Sequence, residues 1–453
     1  MTIFLVSKGI IQLGQLFLAL SILVFVHELG HFLAARAFGI RVKKFYLFFD
    51  FLFPLPNVLN FALLKFNWKG TEYGLGWFPL GGYVQIGGMV DESMDEEELK
   101  GPIKDDDYRA KPTWQKLIVL LGGIIMNVFW GIIFFAIYLG VFQKSYLSVN
   151  EFNKYGIYAY PLAQEYGFQT GDKITAINGK KPQRAEDILS YKILFGAKVT
   201  VDRNGKEEVI QLPGNLFRKV TSAEFIGMGR ESIFADSILP NTPAAKYGLQ
   251  SNDTLFAING DFLENYSTFK TALSGTYKDS LFTLTVLRGK DTLSFPMKSD
   301  TAGKLGFIAG MNNSRYYSRT PYNAVTLFQF AVKDAFGTII TQAIGLSKIF
   351  TGDVPVRESV GGPIAMMGMF SAQWDWSRFW FITAMLSMVL AFMNFLPIPA
   401  LDGGHIVIVL IEGIIRRPLP QKVQEIIQTV GTVIILALML FTFGNDILRK
   451  FGI

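Results

Sequence analysis

The chain has 453 residues, of which 50% are apolar and only 18% charged, and its mean hydropathy is +0.31. That balance excludes an ordinary soluble protein and fits a membrane protein with soluble sections. A net charge of +6 without a dense basic run gives no case for nucleic acid, and the absence of cysteine excludes disulfides and thiolate metal sites.

Ile10–Phe38 is apolar and long enough to cross a hydrocarbon layer of about 30 Å. It does not read as a cleavable signal, because it lacks a basic start and carries His27, Glu28 and His31. Leu47–Leu64 is also apolar, but Asp50, Pro54 and Pro56 interrupt it, and it is expected to be interfacial or re-entrant. The acidic run Asp91–Asp107 reads as a solvated loop. Further spans are expected over Leu117–Phe142, Phe379–Leu396 and Thr429–Phe443. Ala324–Phe350 carries Lys333, Asp334 and Lys348 and is expected to lie on the membrane as an amphipathic helix. The expected fold is therefore a polytopic α-helical membrane protein with four transmembrane helices. Arg36, Arg41, Lys43 and Lys44 follow the first span, and Arg416, Arg417 and Lys422 lie between the third and fourth. Both loops should face the cytoplasm, which puts the long section between spans two and three outside it.

That external section contains an internal repeat. Tyr166–Gly179 and Tyr247–Gly260 match without gaps at their Tyr, Gly, Gln, Asp, Ala, Ile, Asn and Gly positions. Gly171 becomes Asn252, the usual substitute where positive φ is needed. Asn178-Gly179 and Asn259-Gly260 read as tight turns, with strands over Lys198–Val201 and Phe282–Leu287. Each copy resembles a PDZ domain, and Ala245–Gly260 carries the resemblance best. The expected organisation is a membrane domain formed by residues 1–144 and 316–453, with two β-rich PDZ-like domains, 145–225 and 226–315, inserted into it. PDZ domains bind extended peptides at a sheet edge, so peptide segments are one expected partner; a spacer or size filter is the other role open to them.

His27-Glu28-Leu29-Gly30-His31 is an H-E-x-x-H motif inside an apolar helix. Its two histidines lie one turn apart on one face and can share a zinc ion, with Glu28 placed to take a proton from the water such an ion activates. The third ligand should be a histidine or carboxylate at matching depth. Asp402 is the candidate, in the Pro- and Gly-broken stretch from Asn394 to His405, and His405 is the alternative. Asn394 can donate a hydrogen bond to substrate or to a developing oxyanion, or can simply pack.

H-E-x-x-H in the first span, with Asn394-x-x-Pro-x-Pro-x-x-Asp402-Gly-Gly in the third, resembles the site-2 protease family of intramembrane metalloproteases. The tandem PDZ-like repeat, Lys111-Pro-Thr-Trp114 and Gly123-x-x-x-Asn127 narrow the resemblance to its bacterial regulator-of-sigma-E type. The resemblance implies zinc held by His27, His31 and Asp402, with Glu28 as catalytic base. It implies hydrolysis of peptide bonds within single-pass membrane proteins, such as anti-sigma factors and remnant signal peptides, in a bacterial inner membrane. Gly74–Gly88 is similar to the family's membrane-associated β-hairpin; its Gly82, Tyr83 and Gln85 are expected on a strand whose free edge clamps an unwound substrate. Gly122-Gly123 stands where the family often has Gly-Pro, which leaves the bend of the second helix open. A PDZ-bearing scaffold would be signalled by loss of Glu28 or a ligand, and a metal transporter by paired helix repeats; neither sign is present.

Overall fold

The structure, a computed structural model, describes residues 2–52, 58–79, 81–89, 101–220, 225–311, 314 and 316–450. Asp91–Lys100 of the acidic run and 53–57 of the interrupted apolar segment lie outside the described residues. The chain divides into two compact units: 1–144 with 322–453, and Ser145–Pro321.

Among the described residues, the first unit is built from six long helices: α1 (Thr2–Ala37), α2 (Thr113–Ile137), α3 (Ala324–Phe350), α4 (Trp376–Phe395), α5 (Asp402–Ile415) and α6 (Gln421–Lys450). Their ends follow local chemistry. α1 stops where Gly39 takes φ 63° and the Ile40 N–H closes on the Ala35 carbonyl at 2.9 Å. α4 starts on Asp375, whose carboxylate accepts the Arg378 N–H at 3.1 Å. It stops before Pro397 and Pro399, which cannot continue a helix. The chain turns through Ala400 at φ 68° and restarts as α5, so a separate helix stands where the sequence suggested only bent backbone. α2 runs unbroken through Gly122-Gly123 and packs against α1, α3, α4 and α5.

Among the described residues, five helical stretches are long and apolar enough to span a membrane, including Ala324–Phe350 at mean hydropathy 1.2. The sequence reading expects four spans and lays Ala324–Phe350 on the surface. Its three charges favour that reading; its 27-residue length and the burial of Phe330, Ala331, Ala335 and Gly337 admit a fifth span.

Between α1 and α2 lies a four-stranded sheet of order β2-β3-β1-β4, with β1 Val42–Leu47, β2 Ala62–Trp68, β3 Thr71–Gly76 and β4 Tyr83–Ile86. The expected hairpin over Gly74–Gly88 is replaced by something else: β3 and β4 do not pair with each other but flank β1, in parallel and antiparallel respectively. β4 is buried along its length and, among the described residues, has β1 as its strand neighbour. The ends of the Leu47–Leu64 segment join this sheet, and Phe61, Leu63, Leu64, Phe66 and Trp68 stay exposed.

Among the described residues, the second unit holds two hydrophobic cores. One runs from Leu147 to Phe225 with Tyr317 added, the other from Ile233 to Leu305. The first is covered by β6 (Ile157–Ala159) with β10 (Ile226–Met228) and by β7 (Lys173–Ile177), β8 (Lys198–Arg203) and β9 (Lys206–Gln211). The second has β11 (Ile233–Ile238), β12 (Thr254–Ile258), β13 (Asp261–Phe262), β14 (Leu281–Arg288), β15 (Asp291–Lys298) and β16 (Phe307–Met311). Both Asn-Gly pairs have positive φ at both residues, as a type I′ turn requires. Gly171 and its counterpart Asn252 sit at φ 98° and 70°.

The repeat extends further than its sequence match. Arg203 holds Asp172 through two bonds of 2.7 Å and reaches the Gly167 carbonyl at 2.8 Å. Arg288 holds Asp253 through two bonds of 2.7 Å and reaches the Gly248 carbonyl at 3.0 Å. The unit's two ends are zipped together as β5 (Ser145–Tyr146) and β17 (Thr320–Pro321), an antiparallel pair.

Candidate metal centre

The site starts from the close crossing of α1 and α2. A Cβ on Gly30 would stand 2.1 Å from the Gly122 carbonyl oxygen, and one on Gly123 would stand 2.5 Å from both His27 Cε1 and His31 Nε2. Glycine at these positions lets the helices touch and leaves room for two imidazoles between them. Gly403 and Gly404 do the same for α5, where a Cβ would meet the carbonyls of Leu396 and Ile398 at 2.0 and 2.5 Å. α5 thus presents its first residue, Asp402, to the histidine pair.

The three donor atoms form a nearly equilateral triangle. His27 Nε2 lies 3.3 Å from His31 Nε2 and 3.3 Å from Asp402 Oδ2, and His31 Nε2 lies 3.4 Å from Asp402 Oδ2. A tetrahedral zinc ion about 2.0–2.1 Å from each ligand sets those ligands about 3.3–3.4 Å apart. Asp402 Oδ2 is buried and accepts no hydrogen bond, which is costly for a carboxylate oxygen unless a cation meets it. The residues present therefore fit zinc.

Each imidazole is turned so that Nε2 faces this point. His31 Nδ1–H donates to the Val119 carbonyl at 2.9 Å. His27 Nδ1 is 3.0 Å from the Asn127 side-chain nitrogen, while Asn127 Oδ1 is buried without a partner. Half a turn of that amide brings its oxygen to Nδ1–H and satisfies both groups, leaving Nε2 for a metal. Ser387 anchors this stretch of α2 by donating to the Asn127 carbonyl at 2.8 Å.

Around the triangle is a cavity of about 80 Å³, lined by His27, Glu28, His31, Asp402, Tyr83 and His405, among others. His405 stands next to the triangle but outside the metal-sized group of His27, His31 and Asp402. Asn394 is buried with its amide nitrogen 3.2 Å from His27 Nε2. A Cβ on Gly82 would come within 3.4 Å of the Glu28 side chain, so β4 begins against the H-E-x-x-H helix. Tyr83 stacks on Tyr46 and donates to Asp50 at 2.9 Å. Val84 and Ile86 of β4 also line the cavity, whereas Gln85 does not. The sequence reading missed Val119, Val84, Ile86 and Gln428 as neighbours of the site. Their placement depends on which turn of α2, strand of the sheet and turn of α6 packs here, and no local pattern carries that.

The model of Peptidase family M50 matches residues 15–438. A Campylobacter jejuni chain with a zinc-metalloprotease name, Cj1068, is 30% identical over 437 residues, 96% of this chain and 93% of its own length. The Regulator of sigma E protease of Haemophilus influenzae is 26% identical over 472 residues, covering 97% of this chain and 99% of its own. Protease RseP of Yersinia pestis is 25% identical over 466 residues, covering 97% and 98%.

Proposed function

The chain belongs to peptidase family M50 and is a zinc metalloprotease, and from that premise we propose that it hydrolyses peptide bonds within the transmembrane segments of single-pass membrane proteins. One observation carries the proposal: three converging donors, one of them an oxygen without a hydrogen bond, sit beside Glu28 among helices apolar enough to cross a membrane. Bound zinc supplies a Lewis acid that polarises a substrate carbonyl and acidifies water.

The chain's own groups do the rest. His27, His31 and Asp402 hold the ion, with the imidazoles kept in register by Asn127 and Val119. Glu28 takes the proton from the attacking water and returns it to the leaving amine. The Asn394 amide donates to the substrate carbonyl as charge develops on it. The side of β4 away from β1, entered at Gly82 and running through Tyr83 and Gln85, takes an unwound substrate as a further strand. Unwinding is required because a helical substrate's scissile amide is already hydrogen-bonded.

In this reading the Ser145–Pro321 unit comprises two PDZ-like domains outside the cytoplasm, which admit substrates already shortened there. Among the described residues β16 has β11 as its strand neighbour and ends that sheet, which supports a strand-addition site as well as a filter. Substrates of the anti-sigma-factor and remnant signal-peptide kind fit this arrangement, in a bacterial inner membrane with the metal centre toward the cytoplasm. Reporter fusions at Gly205 should read outside and fusions near Asp95 inside; the reverse would end this topology.

Glu28→Gln tests the chemistry. It keeps side-chain size and all three donors, so the purified chain should hold about one zinc. Cleavage of a transmembrane peptide should fall at least about 100-fold. Near-normal cleavage would remove Glu28 from the mechanism, and loss of zinc would make it a ligand or a structural group.

A further inference from the structure

A second cavity, of about 720 Å³, opens where α2 begins and α5 ends. Its polar wall carries Arg109, Lys116, Arg416 and Arg417 against, among the described residues, a single carboxylate, Glu412. Glu412 Oε1 already accepts the Leu419 N–H at 2.9 Å and the Gln424 amide at 3.1 Å. Arg109 is fixed by the buried Asp107 at 3.3 Å. Lys116, Arg416 and Arg417 form no ion pair with any described residue. Arg416 also ends α5 in the left-handed conformation, φ 54°, where glycine is the default and a larger side chain is disfavoured. The chain keeps an arginine there despite that cost.

The rest of the surroundings is apolar. Ile408 and Val409 line the cavity, and Ile411 and Ile414 beside them on α5 are 41% and 80% exposed. The cavity thus lies at the level where two apolar helices meet water, with cations above and bare aliphatic surface alongside. We propose that it binds the phosphate of an anionic phospholipid headgroup, with the acyl chains on Ile411 and Ile414. This goes beyond the proteolytic reading and rests only on the chain being embedded in a membrane. A phospholipid fits both walls, whereas free phosphate uses only the cationic one. The flank of a single-pass substrate is a poor occupant, because cytoplasmic flanks are themselves rich in Lys and Arg.

The test is native mass spectrometry of the full chain released from nanodiscs of phosphatidylglycerol and phosphatidylcholine. The wild-type chain should retain one phosphatidylglycerol in preference to phosphatidylcholine. Arg416→Gln combined with Arg417→Gln should weaken that retention about 30-fold, from the usual increment per basic residue at a membrane surface. Arg416→Gly separates binding from folding: it relieves the left-handed strain, so thermal stability holds or rises while retention falls about fivefold. Three results would overturn the proposal. The first is no phosphatidylglycerol preference, or none lost in these variants. The second is displacement of the lipid by inorganic phosphate at equal concentration, which would make this a free-anion site. The third is retention only after the carboxylates of Asp91, Glu92, Asp95, Glu96, Glu97 and Glu98 are changed to amides, which would assign the cavity to the chain's own acidic run.

Discussion

In the Ser145–Pro321 unit, Asp172 and Asp253 are wholly buried, and each is gripped by an arginine through two 2.7 Å bonds. In the helical unit, Asp402 is also largely buried, yet its Oδ2 accepts no hydrogen bond and looks toward two imidazole nitrogens. The same side chain serves two ends. A carboxylate that its own chain satisfies is a strut between a loop and a strand, and one held open by packing is prepared for a cation. Asp107 shows that the contrast belongs to the site and not to the helical unit as a whole. It too is buried, and it is paired, with Arg41 at 3.0 Å and Arg109 at 3.3 Å.

The largest test of the contrast is Asp402→Ala. Zinc in the purified chain should fall from about one per chain to near zero, and cleavage of a transmembrane peptide at least about 100-fold. Metal analysis showing unchanged zinc would transfer the third ligand to another residue, His405 first.

Arg203→Met should do the opposite. It strands a buried carboxylate, at a cost of about 3 kcal/mol to the local fold, while zinc stays bound. Hydrogen exchange should accelerate in β7, β8 and β9. The same change at Arg288, whose side chain is 31% exposed against 16% for Arg203, should cost less. Equal zinc loss in the Arg203 variant would dissolve the contrast.

A smaller effect is expected at the repeated turns. Asn259→Ala puts a non-glycine, non-asparagine residue at φ 49°, at about 1 kcal/mol by thermal melting, whereas Asn252→Gly at φ 70° should change stability by a few tenths at most.

The smallest is a pH effect at Asp107. Burial alone would raise its carboxyl, but the Lys104 N–H and the guanidinium groups of Arg109 and Arg41 outweigh it and hold the folded value below the ordinary one. A group depressed in the fold stabilises above its unfolded value, near about 3.9, and loses that contribution as pH falls through the lower folded value. Hydrogen-exchange protection around 107–111, taken relative to the intrinsic rate at each pH, should therefore fall in acid, and Asp107→Asn should flatten that dependence.

The candidate metal donors could be named from the sequence because few residues can explain themselves otherwise. Two histidines four apart, with an acid between them in an apolar helix, leave little alternative to a metal, and Asp402 is the carboxylate that a Pro- and Gly-broken stretch can bring near. Asn127 stood in a recognisable motif, but its bond to His27 follows from Gly30 meeting Gly122, a register set by packing between helices. The sheet was misread for a related reason. Alternation marks β3 and β4 as strands without naming their partner, and the partner is β1, whose Lys43 and Lys44 look like a topogenic loop. Arg203 and Arg288 were within reach: each ends its strand just before a glycine-containing turn, and each stands two residues after a strand valine, Val201 and Val286, once a four-residue insertion is allowed in the second copy.

The β5–β17 zipper has a consequence for how the chain assembles. Just inside the helical unit, the Tyr322 N–H donates to the Lys144 carbonyl at 3.1 Å. Residues 178 apart in number are thus neighbours in space, with everything between them closed off as a loop whose ends touch. For the helices, this loop adds sequence distance without adding span, and its closure entropy grows only logarithmically with its length. Once the stem is zipped, α2 and α3 can find each other as if Lys144 ran directly into Tyr322, so the helical half folds with the contact order of a much shorter protein.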